Sequence, residues 1–433
     1  MTTSSQPLKP PSPRLAVTTA RYAAYGLLGL PLAMSALPIY VQIPAYYTTQ
    51  LGLSLAVTGW ILFLARFFDV IQDPMLGYFI DRIKSSLIAW FITAGITLSC
   101  AFYGLWLPPV SLTLLPIWLA AMLIFAYSAH SMLNIAYLSW GARISQTHVT
   151  DNAVLNAAAW REGAGLIGVI LASIIPSIIL SAHPLQISSH LTWYCLAFSG
   201  VLLVSIAALV FSAPTWQRIQ SQQNDFIEQW KTVFNNQAFK ALLTPYFINA
   251  ISVAVPATLV IFFINDRLQA SHYVPAFLTI YFIAAAIGLP CWVACANKWG
   301  VLTSWRSGML MAIAAFASAS TLGNGQTSAF FVICFASGFA LGADLALPPV
   351  MLAEVIHADA PPAAYYSIWT LLGKLALALS GLALPLLSWL NYHPGQPAGV
   401  ELAWIYAGVP CFLKLIALLL LMQMKPTKEK GLT

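Results

Sequence analysis

Apolar runs of bilayer length set the first constraint on what this chain can fold into. Twelve can be marked, at about residues 20–47, 54–80, 87–107, 112–141, 154–181, 190–213, 241–265, 273–296, 302–322, 328–353, 363–390 and 401–424. A helix needs about 20 apolar residues to cross the hydrocarbon core. Lipid offers backbone N–H and C=O groups no partner, so only helices and closed barrels can cross it. The runs are continuous rather than alternating, which removes the barrel. Composition agrees, with 60% of the 433 residues hydrophobic and 7% charged, where soluble domains carry about a quarter charged residues. The expected fold is an all-α polytopic membrane protein of twelve transmembrane helices.

The few charges are placed by topology. If the helices alternate in direction, nearly all loop Lys and Arg fall on one side, from Lys9 and Arg14 through Arg82, Lys84 and Arg218 to Lys430. Arg267 is the one basic residue of the opposite loops. The positive-inside rule then puts both termini in the cytoplasm, and a bacterial inner membrane is the expected location. The net charge of +6 is therefore topological and no sign of nucleic-acid binding. Residues 1–20 are Ser/Thr/Pro-rich and read as a cytoplasmic tail, not a signal peptide, because no cleavage site follows a short apolar core. The six Cys lie in or near apolar runs and suit core packing. Cys291 and Cys295 alone are too sparse for a metal site.

Ionisable residues inside the runs carry the functional signal. Residues 66–82 read Arg66-Phe-Phe-Asp69-Val-Ile-Gln-Asp73-Pro74-Met-Leu-Gly77-Tyr-Phe-Ile-Asp81-Arg82. Arg66, Asp69 and Asp73 are spaced i, i+3, i+7 and share one helix face. Charges at membrane depth are costly and by default mark an ion or substrate pathway. Two carboxylates one turn apart repel, and a proton or Na⁺ bound between them relieves the repulsion. The structural alternative is an Arg66–Asp69 ion pair that only locks the second helix to a neighbour. Gly77, Asp81 and Arg82 form a turn of structural or gating role.

The chain divides into a tail (1–20), a six-helix bundle (21–213), a polar linker (214–240), a second bundle (241–424) and a second tail (425–433). Phe226, Trp230 and Phe234 in the linker are spaced for an amphipathic helix at the inner surface. The halves echo each other: Asp73-Pro74 precedes Asp81-Arg82 as Leu289-Pro290 precedes Asn297-Lys298, each at the end of the second helix of its half. By that offset Arg66 and Asp69 correspond to Phe282 and Ala285, so the charged face belongs to the first half alone. Two parallel six-helix halves with a site between them resemble the major facilitator superfamily.

A narrower resemblance follows from the motif Arg-x-x-Asp-x-x-x-Asp-Pro-x-x-Gly-x-x-x-Asp. It is similar to the second-helix signature of the glycoside–pentoside–hexuronide:cation symporters, the melibiose permease type. His130-Ser131-Met-Leu-Asn134-Ile-Ala-Tyr137-Leu-Ser139 resembles the family's fourth helix, Arg161 its fifth-helix arginine, Pro349-Val-Met-Leu-Ala353-Glu354-Val355 its tenth helix and Lys374 its eleventh-helix lysine. The resemblance implies a cation site of Asp69, Asp73, Ser131 and Asn134. The coupling ion would be H⁺ or Na⁺, with Asp69 and Asp73 as the metal ligands in the Na⁺ case, and no other cofactor is expected. Two departures stand out. Asn134 replaces a frequent Asp, and with His130 nearby this tilts the ion toward H⁺, although a histidine packed between helices is the plainer reading. The first helix, around Tyr25-Gly-Leu-Leu-Gly29, lacks the acidic residue that sugar-transporting members use.

On the solute side, Arg161 and Lys374 lie on corresponding helices of the two halves and are expected to face one cavity. Tyr25, Tyr366 and Trp369 are the expected aromatic partners there. Glu162 either neutralises Arg161 or serves structure. Lys414 is read as packing or snorkelling, and Asp344, before Pro348-Pro349, as sitting at a broken helix near the cavity. The function expected is cation-coupled symport of a small polar solute, a sugar or sugar derivative, by alternating access in a monomer. Its partners would be that solute, a monovalent cation and membrane lipid. The alternative is an exporter or carrier of amphipathic compounds or lysolipids. An intramembrane enzyme would need a catalytic constellation such as His-Glu-x-x-His, which is absent, and no nucleotide-binding loop is present.

Overall fold

In the computed structural model the described residues are 13–82, 87–147, 153–180, 184–213, 233, 235–356, 362–397 and 399–424, and all regular structure among them is helical. We number the long helices α1 to α12. Helix α1 comprises Pro13–Gly26 and Gly29–Ala45 and ends in a π turn, Tyr46–Gln50. Then come α2 (Leu55–Arg82), α3 (Leu87–Trp106), α4 (Leu115–Thr147), α5 (Ala153–Leu180) and α6 (Pro184–Ser212). The second half holds α7 (Gln237–Phe262), α8 (Val274–Trp299), α9 (Val301–Ser320), α10 (Thr327–Val355), α11 (Pro362–Ser380, continued by Ala383–Trp389) and α12, which includes Val409–Gln423.

Among the described residues, eleven helices are long and apolar enough to cross a membrane. The remaining one, α9, holds Arg306 inside its 20 residues. The Arg306 guanidinium donates to the carbonyls of Leu421 and Met424 at the end of α12, where unpaired carbonyls and the helix dipole both favour a cation. Gly300, with φ of +82°, makes the turn between α8 and α9, a left-handed conformation that a side chain resists. Asn236 caps α7 by accepting from the Phe239 N–H at 3.1 Å, so the polar stretch ends four residues before Lys240. Phe226, Trp230 and Phe234 lie outside the described residues.

The packing is duplicated. In the first half α2 packs on α4, α3 on α4 and on α6, and α1 on α5; in the second half the corresponding pairs α8–α10, α9–α10, α9–α12 and α7–α11 are all in contact. The halves meet through α2 on α11, α5 on α8 and α1 on α7. Pro74 lies inside α2 and Pro290 inside α8, the same place in each repeat.

At the end of the bundle away from the termini, α2 and α11 touch backbone to backbone. A Cβ on Gly59 would run into the Pro385 ring and the Gly381 carbonyl, and one on Gly381 would crowd the Phe63 amide. Overpacking such a contact costs about 1–3 kcal/mol. Gly59→Leu should therefore part the halves at this end. In a chain stripped of its native cysteines, a cysteine placed at Leu384 should react about tenfold faster with an impermeant thiol reagent when Gly59→Leu is added. An unchanged rate would mean this contact does not close that end.

Candidate ion and solute sites

The periodicity that put Arg66, Asp69 and Asp73 on one face of α2 turns that face toward α4 and α11. The ammonium of Lys374, on α11, donates to Asp69 Oδ2 at 3.0 Å, to Ser131 Oγ of α4 at 2.8 Å, and to Asp73 Oδ2. Asp69 is 1% exposed and heavily bonded. Its Oδ1 accepts from Ser131 at 2.8 Å and from Gln72 at 3.1 Å, and Gln72 accepts from Ser128 at 2.7 Å. Arg66 lies 3.7 Å from Asp69 Oδ2 and stacks over the Tyr127 ring at 4.0 Å. The four charges cancel, as a buried cluster requires. One oxygen is left over: Asp73 Oδ1 is buried without a hydrogen-bond partner. Lys374 and the two carboxylates thus join opposite halves of the molecule.

The other residues marked in the sequence sit elsewhere. Asn134, half-buried on α4, meets neither carboxylate in the described contacts. His130 pairs with Ser35 at 3.1 Å and ties α4 to α1. Arg161 pairs with Glu162 at 2.6 Å, with 30% and 74% of the two side chains exposed, and does not meet Lys374. Tyr25 is buried, and its hydroxyl donates to the Tyr137 carbonyl at 3.2 Å. Trp369 stacks on Tyr246 of α7 with ring centroids 3.4 Å apart, while Tyr366 is exposed. The side chains of Gly77, Asp81 and Arg82 lie outside the described residues.

A second buried charge cluster lies wholly in the second half. Lys414 of α12, 2% exposed, donates to Asp344 Oδ2 and to Asn249 Oδ1, both at 2.7 Å. Asp344 Oδ1 accepts from Asn249 at 3.0 Å and from Trp305 at 2.9 Å. Helix α10 runs unbroken through Pro348 and Pro349, so Asp344 marks a side-chain lock among α7, α9, α10 and α12 and no helix break. The signal for this was present in the sequence. Two opposite deep charges on apolar helices have little choice but to find each other.

Between the halves lies a cavity of ≈ 420 Å³, walled by α1 and α5 on one side and mainly by α7, α8, α10 and Leu377 of α11 on the other. Most of its wall is apolar, with Asn249, Ser337, Asp344 and the phenols of Tyr40, Tyr246, Tyr281 and Tyr406 as the polar groups. Neither Lys374 nor Arg161 lines it.

The MFS/sugar transport protein family matches residues 22–428. The chain belongs to that family. It is 22% identical to the chicken (Gallus gallus) sodium-dependent lysophosphatidylcholine symporter 1, over 83% of this chain and 78% of that protein. Among solved structures, the nucleoside transporter NupG superposes with a TM-score of 0.72 at 14% identity, covering 94% of this chain and all of that one. A bacterial homologue of the iron transporter ferroportin, in an inward-facing state, gives 0.71 at 14% identity, over 94% and 98% of the two chains. These likenesses show the fold, and the family makes this major facilitator protein a membrane transporter and not an enzyme.

The transporter's cross-half cluster has a testable charge balance. Lys374→Met leaves Arg66 facing two carboxylates, and breaking a pair whose members are 18% and 21% exposed should cost about 3 kcal/mol, the lower end for a buried pair. Adding Asp73→Asn restores neutrality and should recover most of the loss. Thermal unfolding of both variants in detergent at neutral pH and low Na⁺ measures this.

Proposed function

We propose that this protein is a Na⁺-coupled symporter of an amphipathic solute with a large apolar part. The observation that carries the solute reading is the wall of the central cavity. A sugar would bury many hydroxyls, each needing a partner, and the wall offers few. Tyr25 and Arg161 are committed elsewhere. An acyl or similar chain fits such a wall without leaving polar groups unpaired. The relative named for lysophosphatidylcholine supports the same choice.

The coupling reading draws on the three oxygens that converge on the Lys374 ammonium, from Asp69, Asp73 and Ser131. Hard monovalent cations take oxygen ligands, and these three already surround a cation-sized group. Asp73 Oδ1, without a partner, supplies a fourth. Among the described residues no group of three or more His, Cys, Asp or Glu gathers, which suits a singly charged ion better than a divalent one. Na⁺ would compete with Lys374. In the ion-free state the lysine latches α11 to α2; with Na⁺ bound, the carboxylates are neutralised and the latch is released. Solute and ion then favour the same conformation, which is what symport requires. Charge asymmetry supports cytoplasmic termini and a bacterial inner membrane, and both sites are complete within one chain, which suits a monomer.

Proteoliposomes at fixed pH test the reading. An inward Na⁺ gradient should drive accumulation of radiolabelled lysophosphatidylcholine several-fold above equilibration. Asp73→Asn should abolish accumulation while solute exchange continues, since a neutral side chain cannot demand the ion. Accumulation driven by a proton gradient and indifferent to Na⁺ would assign H⁺ instead. Failure of both gradients would remove symport.

A further inference from the structure

The cavity wall carries one ionic element, in the half that contributes no carboxylate to the Na⁺ site. Asp344 and Asn249 line the cavity, whereas Lys414 does not and is 2% exposed. The arrangement is directional. Asn249 is engaged at both ends of its amide, accepting from Lys414 and donating to Asp344. Ser337 donates to the Ile333 carbonyl of its own helix at 2.7 Å. Asp344 accepts from Lys414, Asn249 and Trp305, and a carboxylate has about four acceptor positions. Among these three the capacity left on the cavity side is therefore that of an acceptor, while the phenols of Tyr40, Tyr246, Tyr281 and Tyr406 on the same wall can donate or accept. The pair is neutral in sum, but its negative end faces the cavity and its positive end lies behind, in surroundings where a dipole is weakly screened. Tyr246 and Tyr281 line the same cavity, and aromatic rings beside a carboxylate make a setting for an organic cation.

We propose that Asp344 anchors a positively charged end, an organic ammonium group, of the solute that occupies this cavity. The inference rests on the amphipathic reading of the cavity and adds the sign of the head group. Lys414 then has two tasks. It holds the carboxylate in place, and it keeps the cavity neutral enough to release its occupant. A cluster that served only to lock α7, α9, α10 and α12 together would be indifferent to the charge of a ligand.

Three amphiphiles with one chain and different heads separate the possibilities: octyltrimethylammonium, octyl glucoside and octyl sulfate. Their binding is measured on the full chain in nanodiscs by scintillation proximity, with empty nanodiscs subtracted. The expected order is cation, then neutral, then anion, with the cation ahead of the glucoside by about tenfold. Asp344→Asn alone strands the Lys414 charge and risks misfolding, so the decisive variant is Asp344→Asn with Lys414→Met, checked for monodispersity. It should bring the cation down to the affinity of the glucoside and leave the glucoside unchanged. Equal binding of cation and glucoside to the parent, or an undiminished preference in the double variant, overturns the anchor while the amphipathic cavity stands. If none of the three binds, the amphipathic reading fails, and the anchor with it.

Discussion

One ammonium group holds the two halves of this protein in register. Asp69 and Asp73 stand one turn apart on α2, and without a cation between them their repulsion and their burial would both act against the folded helix. Lys374 supplies that cation from α11, in the other half. The first consequence is structural: α2 and α11 are joined in mid-membrane by charge and at one end by the Gly59–Gly381 contact. The second belongs to the proposed coupling, in which a dissolved cation would replace an ion pair that crosses between halves.

The two buried charge clusters differ in what they leave undone. Asp344, Lys414, Asn249 and Trp305 all lie in the second half and make four mutual hydrogen bonds that leave Lys414 no exposed donor to speak of. A polar network whose members hold one another this closely in a low dielectric is rigid. The cross-half cluster keeps Asp73 Oδ1 unpaired and spreads one ammonium over three oxygens. An under-satisfied network of this kind can be exchanged for another arrangement at little cost. The second half is thus built to move as a body, and the seam between halves is where a change of partner has an effect.

Much of this was legible in the sequence, for identifiable reasons. Lipid leaves a chain so few options that twelve apolar runs name the architecture, and helical periodicity alone assembles Arg66, Asp69 and Asp73 on one face. Periodicity says which residues share a face but not what the face meets. Lys374, some three hundred positions away, has several conceivable partners, and the cavity was a reasonable assignment for it. Asn134 shows the same limit: it lies one turn from Ser131 on α4, yet the Lys374 ammonium rather than the Asn134 amide reaches Asp73. Asp344 and Lys414 were visible as charges, and the rule that deep charges pair would have joined them.

The charge cluster and the cavity do not share a residue, so the proposed coupling would need a carrier, and α11 has the right faces. Lys374 reaches toward α2, while Leu377, three positions on, belongs to the cavity wall. Trp369, just over one turn before the lysine, stacks on Tyr246, which lines the cavity from α7. A helix gripped at one point by carboxylates and at two others by the wall of the cavity cannot shift at the first without reshaping the second. Packed interiors respond to such a displacement by switching between arrangements rather than by yielding smoothly. Release of Lys374 by an ion would in this way be felt by an occupant of the cavity that never touches the ion. By the same linkage the occupant would feed back on the ion's affinity.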